Sequence, residues 1–180
     1  MGSTRGAETV LLGVLLFTPV ALAGGPAPDI KDPSPGDAYV NPGVLLSLSP
    51  RFSGSVLGLG AELSYHRFIG PQRMSIGTWG LGGFAQWQVM NFQYHRLCAG
   101  IQGTGGEDLD LLGVELGLAH TTAGDGKAAT TSVHIAPFLS LGFATASLRF
   151  GLPLPGGSRD QPSHGIEAGF TLALKVPVKL

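Results

Sequence analysis

The stretch 73–90, RMSIGTWGLGGFAQWQVM, alternates between two unlike sets of side chains. Every second residue from Trp79 to Val89 is apolar or glycine, with Trp87 in the same set, whereas the positions between them carry Thr, Gly, Phe and Gln. This period of two predicts a β-strand with two different faces. Trp79 and Trp87 are eight residues apart, which separates them by roughly 20 Å in height if the strand tilts by about 40°. The spacing is close to that of the two aromatic belts around the ~25 Å apolar band of a membrane barrel.

The same alternation recurs along the chain and predicts an all-β fold. It is clearest in 55–67, where Leu57, Leu63 and Tyr65 alternate with Gly, Glu, Ser and His. We expect eight strands, separated by turns rich in Gly, Pro and Asp rather than by helices. Their predicted ranges are 43–52, 55–67, 73–90, 92–102, 109–121, 130–143, 146–154 and 165–178. The predicted fold class is an eight-stranded antiparallel up-and-down transmembrane β-barrel.

Two strands contain residues that interrupt the pattern. In 92–102, Phe92 and Tyr94 have one parity and the later apolar residues have the other, so we predict a bulge near Arg96. A turn at 104–108, TGGED, is expected to follow. Pro137 lies inside the sixth strand, and because proline has no N–H to donate, it predicts a bulge or a local opening there.

The amino-terminal residues have the features of a secretory signal. Residues 1–23 contain Arg5, an apolar run from Val10 and a small-residue cleavage site at Ala21-Leu22-Ala23. The run is shorter than the ~20 residues that a membrane-spanning helix needs. Residues 24–42 are rich in Pro, Gly and Asp without a period, so we expect a disordered periplasmic segment. The barrel domain is predicted to occupy 43–180.

Side-chain volume indicates which face of the strands points inward. An eight-stranded barrel is only just wide enough for side chains inside, so the bulky apolar face must point outward and the Gly, Ser, Ala and Thr face inward. Charged residues are 13% of the chain, against about 25% in ordinary soluble domains. These features favour an outer surface in contact with lipid, and we expect localisation in the bacterial outer membrane.

A few charged side chains remain on the predicted inner face, and we expect them to pair, because an isolated charge away from water is costly. The inward glycines leave room for their length, so the lumen is predicted to be plugged. These residues are Glu62, Glu115, Glu167, Arg51, Arg149 and Lys175, with His66 and His134.

The two long loops, 122–130 and 155–165, lie on one side of an up-and-down barrel. Bacterial barrels place long loops outside the cell, so these loops are where an extracellular partner could bind. The net charge of −1 gives no nucleic-acid footprint, and a single cysteine, Cys98, allows no internal disulfide. We predict a monomer without catalytic, cofactor-binding or metal-binding residues.

With this pattern in place, residues 43–180 resemble the small eight-stranded outer-membrane β-barrel proteins, the OmpA-like and OmpX-like group. The segment 167–174, EAGFTLAL, is similar to the signal by which the barrel-assembly machinery recognises the last strand. The resemblance implies an integral outer-membrane protein that is non-enzymatic, with a structural or surface-interaction role. Outer-membrane lipid and the assembly machinery are its implied partners.

Two alternatives remain open at this point. The segment 120–124, HTTAG, is similar to the His-x-Ser-Asn-Ala segment of the lipid A 3-O-deacylase barrels. That resemblance implies a lipid-modifying enzyme in which His120 is the general base and Thr122 takes the place of the serine nucleophile. The other alternative is a soluble secreted barrel that binds an apolar ligand, because alternating strands also occur in such barrels.

Overall fold

The computed structural model describes residues 34–51, 54–69, 78–107, 110–156 and 161–180. The predicted signal peptide, 1–23, lies outside these residues, as does 24–33 of the predicted lead-in. None of the described residues forms a helix of the length and apolarity that crossing a membrane requires. The strands are β1 Ala38–Arg51, β2 Gly54–Phe68, β3 Thr78–Met90, β4 Tyr94–Glu107, β5 Asp110–Thr121, β6 Thr130–Leu141, β7 Ala144–Pro153, β8 Glu167–Lys175 and β9 Val178–Lys179.

Each strand pairs antiparallel with the next, and β8 pairs back onto β1. The sheet is therefore a closed eight-stranded up-and-down barrel, which confirms the predicted all-β architecture. The two-residue strand β9 continues along β1 beyond Pro177, with Val178 opposite Val40. We call the end where β1 begins and β9 ends the terminal end, and the opposite end the loop end.

The register determines the shape of the barrel. Starting at Ala38 and stepping from each residue to its paired residue on the next strand, the path around the barrel returns to β1 at Leu48. Leu48 is ten residues beyond Ala38, so the shear number of the barrel is ten. With eight strands this shear gives a strand tilt of about 40°. The path runs through Arg67, Leu81, Gly103, Val114, Pro137, Leu148 and Phe170, with the β6–β7 register carried across Pro137.

Burial confirms the predicted orientation of the two faces. Trp79 and Trp87 are 47% and 46% exposed on the outer face, whereas Phe84, Gln86 and Gln88 of the same strand are buried inside. Polar residues outnumber apolar ones among the buried side chains, and every strand from β1 to β8 carries large apolar side chains that point outward. The barrel therefore has the reverse of the usual arrangement in a water-soluble protein.

Two expectations about β4 are wrong. The β3–β4 pairing runs without a break from Met90 opposite Tyr94 to Thr78 opposite Gly106, so there is no bulge near Arg96. Tyr94 and Arg96 instead both point inward, and both are almost completely buried. The predicted turn at 104–108 is mostly strand, because Thr104 to Glu107 pair with β5.

The start of β1 also differs from the predicted range, by five residues. Strand β1 begins at Ala38, inside the predicted lead-in, because Ala38 to Pro42 pair with β2. The carbonyl of Pro42 accepts a hydrogen bond of 2.9 Å from the Val176 N–H. At Pro137 the β6–β7 pairing is interrupted while the register on either side is the same, so the predicted local opening is present.

Several inward glycines lie where the backbones of neighbouring strands approach closely. A Cβ at Gly82 would overlap the carbonyl oxygen of Tyr65, and a Cβ at Gly60 would overlap that of Trp87. A residue with a side chain would push the paired strands apart at these points. The outward Gly103, by contrast, has no atom within 4 Å of the position where a Cβ would lie.

We expect Gly82→Ala to destabilise the barrel, because its methyl group would meet backbone that cannot move away without breaking strand pairing. Overpacking of this kind costs about 1–3 kcal/mol. Gly103→Ala is the matched control and should change stability by less than about 0.5 kcal/mol. The measurement is the urea midpoint of the protein refolded into phospholipid vesicles. Equal midpoints for the two variants would contradict the close approach at Gly82.

Candidate functional site

The most distinctive feature of the described residues is a hydrogen-bonded network inside the barrel. It begins near the terminal end, where the Lys175 ammonium forms an ion pair with Glu62. Lys175 and Glu62 both lie opposite Gly43, one on each side. Because Gly43 has no side chain, the Lys175 side chain can cross it to reach the carboxylate. The ammonium also lies 5.9 Å from the centre of the Phe138 ring.

A glutamine links this ion pair to a second carboxylate. The Gln86 amide nitrogen donates to Oε2 of Glu62 at 3.2 Å and to Oε2 of Glu115 at 3.1 Å. A side-chain amide nitrogen carries two hydrogens, so both bonds can form at once. Gln86 therefore separates two buried carboxylates and gives each of them a donor.

The hydrogen bonds of His134 define its protonation. Nδ1 lies 3.0 Å from an Arg96 guanidinium nitrogen, and Nε2 lies 3.2 Å from Oε2 of Glu115. Because the guanidinium can only donate, Nδ1 must accept, and the ring proton is on Nε2 and is donated to Glu115. His134 is thus held as the neutral Nε2–H tautomer between a cation and an anion.

The network ends at Glu167 near the loop end. Its carboxylate lies 3.3 Å from Nε of Arg96 and 2.9 Å from Nη2 of Arg149. Arg149 lies opposite Gly169 and crosses it to donate to the Ser49 hydroxyl at 2.6 Å. Its other terminal nitrogen donates to Oε1 of Gln88 at 2.9 Å. The side chains of Arg96 and Arg149 are each 1% exposed.

The network connects every strand from β1 to β8. Glu167 and Lys175 are eight residues apart on β8, so the network extends over roughly 20 Å of the barrel's height. Its charges are compensated within the barrel, as buried ions must be. The arrangement fixes the positions of long polar side chains, and its chemistry is that of structural support. The participants are Ser47, Ser49, Glu62, Gln86, Gln88, Arg96, Glu115, His134, Arg149, Glu167 and Lys175.

The expected pairing of inward charges is confirmed for Glu62 with Lys175 and for Glu167 with Arg149. Glu115 pairs with His134 rather than with one of the predicted bases. The side chain of Arg51 lies outside the described residues. His66 is buried beside this network.

Arg96 is the network residue that the sequence analysis missed. The predicted bulge assigned the parity change in β4 to this position, although an unbroken strand from Tyr94 onward would have placed Arg96 inside. Two residues were misleading: Phe92 belongs to the turn between β3 and β4, and Tyr94 is an aromatic side chain on the inner face. The φ of Phe92 is 57°, and that of Asn91 is 48°, as in the tight turns of β-hairpins.

A second polar group lies near the terminal end, on β2 and β4. Ser64 Oγ, His66 Nε2, Gln102 Oε1 and Thr104 Oγ1 are buried and have no hydrogen-bond partner among the described residues. A buried polar atom without a partner costs about 1–3 kcal/mol. Two of these atoms lie on β2 and two on β4, with β3 between the two strands.

The two long loops pack together at the loop end. Ala128 pairs with Ser163, and the Ala128 N–H donates to the Pro162 carbonyl at 3.0 Å. The buried His164 donates its backbone N–H to Thr130 Oγ1 at 2.9 Å. Its ring lies 5.1 Å from that of Tyr94, the last inward residue of β4 at this end. The described parts of both loops are therefore ordered against each other and against the barrel.

The residues of the deacylase alternative have structural partners. His120 is on the outer face, as expected from its parity, and its Nδ1 lies 3.1 Å from Thr131 Oγ1 on the neighbouring strand. The Thr122 hydroxyl accepts the His95 backbone N–H at 2.9 Å. Both interactions are those of residues at the end of a strand. Among the described residues, no three His, Cys, Asp or Glu side chains are grouped as a metal site requires.

Comparison of the chain with protein-family models, with curated proteins and with solved structures found no match. The class of molecule that the structure defines is a closed eight-stranded antiparallel β-barrel with a polar interior and an apolar exterior.

An exposed ion pair at the terminal end provides a comparison for the buried ones. Lys179 Nζ lies 2.8 Å from Oδ2 of Asp37. The hydrogen bond from Lys179 lowers the pKa of Asp37 below its ordinary value, and the Ser34 N–H adds to the effect. A lowered pKa in the folded state stabilises the fold at neutral pH, and the contribution is lost as the pH falls through that pKa. Solvent screening keeps such a contribution small.

We expect Glu167→Gln to cost about 3–5 kcal/mol, because it removes the carboxylate shared by Arg96 and Arg149 and leaves buried positive charge without compensation. Asp37→Asn is the control, since it removes one partner of the exposed pair and should shift the unfolding midpoint only slightly. Urea unfolding in phospholipid vesicles at neutral pH measures both. A Glu167→Gln midpoint equal to that of Asp37→Asn would show that the network does not support the fold.

Proposed function

We propose that this chain is an integral protein of the bacterial outer membrane, non-enzymatic and monomeric, with a plugged lumen. The observation that carries the proposal is the reversal of the two faces of the barrel. Thirty large apolar side chains are exposed, whereas twelve apolar residues are buried among the described residues. In water, so large an apolar surface would lead to aggregation, because soluble proteins seldom expose patches beyond a few hundred Å². In a bilayer the same apolar surface would contact the lipid acyl chains.

The dimensions of the apolar surface support the membrane location. Along β5, the outward positions from Leu112 to Leu118 are all apolar, and His120 follows at the loop end. On the outer face of β2, Arg67 follows Tyr65 towards the terminal end. Apolar side chains thus occupy the middle of the outer wall and polar ones its margins. A closed barrel also satisfies its backbone hydrogen bonds without water, as a bilayer demands.

The filled interior supports a structural role rather than transport. Eleven inward polar side chains form one connected network, and the described parts of the two long loops pack together at the loop end. A solute could cross such a barrel only if ion pairs between strands separated. We infer that the protein acts through its surface, with the loops 122–130 and 155–165 outside the cell as the region for an extracellular partner.

The last strand is suited to recognition by the barrel-assembly machinery. Phe170, Leu172 and Leu174 form an outward apolar row on β8, each more than 40% exposed. Strand β8 closes the barrel by pairing with β1. The edge of β8 stays unpaired until the barrel closes, so the assembly machinery can bind this strand during folding. This assignment belongs to the proposed outer-membrane location and depends on it.

Substituting an arginine on the outer face tests whether lipid or water surrounds the barrel. Leu148 lies in the middle of β7 and is 54% exposed. If lipid surrounds it, Leu148→Arg should cost about 2–4 kcal/mol in vesicles, whereas Phe92→Arg, in the β3–β4 turn, should cost about 0–1 kcal/mol. If water surrounds the barrel, an arginine at either exposed position should be tolerated.

The assay is the urea midpoint of each variant in phospholipid vesicles, together with sedimentation of the wild-type protein with the membrane fraction. Heat-modifiable migration on gels reports the folded barrel. Recovery of the folded protein in the soluble fraction without detergent, with no cost for Leu148→Arg, would refute the membrane proposal and favour a secreted soluble barrel.

A further inference from the structure

The apolar part of the outer wall is short on β5. Its large outward side chains run from Leu112 to Leu118, and the exposed His120 follows towards the loop end. One residue raises a strand by about 2.5 Å along the barrel axis, given a rise of ~3.3 Å per residue and a tilt of about 40°. The apolar row of β5 is therefore roughly 15 Å tall.

The apolar row of β8 is about twice as tall. Every outward position from Ile166, just before β8, to Val178 in β9 is apolar. These positions form one continuous row, because the register of the pairing with β1 is the same on both sides of Pro177. The distance from Ile166 to Val178 along the barrel axis is roughly 30 Å.

Polar and aromatic residues mark the loop-end boundary of the short side. The outward row of β4 ends with His95, whose ring stacks on that of Trp87 in β3 with 5.9 Å between centres. On β5 the boundary residue is His120, whose Nδ1 lies 3.1 Å from Thr131 Oγ1 on β6. Tryptophan rings favour the boundary between membrane and water. These four residues therefore define a polar boundary across β3 to β6.

The short and the tall row have nearly the same centre. Stepping from Leu116 on β5 across three strands leads to Ala168 on β8, and each step raises the path by about 3 Å. Leu172, four residues from Ala168 towards the terminal end, thus lies within about 1 Å of the height of Leu116. Leu172 is the centre of its row, and Leu116 lies within about 3 Å of the centre of its own. A tilt of the barrel would displace the two centres, so the rows differ in height.

We propose that the bilayer around this barrel is uneven, thin beside β4 and β5 and thick beside β8 and β1. The inference rests on the proposed membrane location. In a closed eight-stranded barrel β4 is opposite β8 and β5 is opposite β1, so the two sides face away from each other. Lipid adapts its thickness to the apolar height of a protein at modest cost. Short or disordered acyl chains therefore fit beside β5, and extended chains fit beside β8.

Two pairs of arginine variants at matched heights test the thickness. Leu116→Arg and Leu172→Arg lie near the middle of the wall, and the two leucines are equally exposed, at 45% and 46%. Leu118→Arg and Phe170→Arg each lie one outward position nearer the loop end. Comparison with alanine at the same position isolates the effect of the charge, which depends on depth in the bilayer.

The measurement is the unfolding equilibrium constant from urea titrations in phospholipid vesicles. Arginine should raise this constant at least tenfold more than alanine does at both middle positions. Near the loop end, the ratio of the arginine to the alanine constant should be at least tenfold larger at Phe170 than at Leu118. The reason is that the polar boundary begins one outward position beyond Leu118, whereas Phe170 is followed by two further apolar positions.

The middle pair separates the failure of this inference from the failure of the proposed function. If arginine and alanine have the same effect at Leu116 and Leu172, lipid does not surround the barrel and the membrane location is refuted. If arginine is costly at both middle positions and equally costly at Leu118 and Phe170, the bilayer is uniform. The second result would overturn this inference alone.

A neutral label measures depth without placing a charge in the bilayer. In a Cys98→Ala background, Leu118→Cys and Phe170→Cys each carry a bimane fluorophore, and lipids brominated at different positions along the acyl chain quench it. Bromines deep in the bilayer should quench the label at Phe170 most, whereas bromines near the headgroups should quench the label at Leu118 most. Identical depth profiles would contradict the difference in thickness.

A second copy of the chain is the alternative occupant of the tall face. If two copies meet there, Leu172→Cys in the Cys98→Ala background should form disulfide-linked dimers when oxidised in vesicles. We expect monomers under these conditions, together with quenching of the Phe170→Cys label by lipid. Disulfide-linked dimers would overturn the assignment of this face to lipid.

Discussion

The limited width of an eight-stranded barrel is the constraint on which the rest of this structure depends. Long side chains fit inside only where the facing position carries none. Lys175 crosses Gly43, Arg149 crosses Gly169, and the Phe138 ring lies over Gly113. These three glycines each make room for a long side chain on the neighbouring strand. Part of the high glycine content of the chain, 29 residues, therefore reflects packing inside the barrel.

The reversal of the two faces changes what holds the fold together. A water-soluble domain is stabilised mainly by burying apolar side chains, but here the buried set is mostly polar and the apolar set is outside. Cohesion between strands comes from backbone pairing and from the interior ion pairs and hydrogen bonds. Buried charged and polar side chains stabilise the fold only when each has its partner. A buried charge without a partner destabilises the fold far more than an apolar side chain at the same position would. The His134 imidazole, which bridges Arg96 and Glu115, illustrates this interdependence.

The sequence predicts the strands, their faces and most of the inward charges, because alternation is a local property that each strand shows by itself. The partners of those charges are not local. Lys175 meets Glu62 across an intervening strand because of the barrel's register and closure, and neither can be read from one strand. Arg96 was missed because the turn residue Phe92 was counted in the strand and because Tyr94 is an aromatic residue on the inner face. The contact between Ala128 and Ser163 depends on two loops meeting, and loop sequences carry no period that predicts it.

The ion pair between Lys175 and Glu62 joins the last strand to the second across the first. It therefore cannot form until the chain has closed on itself, about 110 residues after Glu62. Contacts between residues so distant in sequence make folding slow, since most of the chain must be ordered before they contribute. A partly assembled barrel would hold its interior ions without their counterions. Closure of the barrel is therefore the step at which these interior ions acquire their partners.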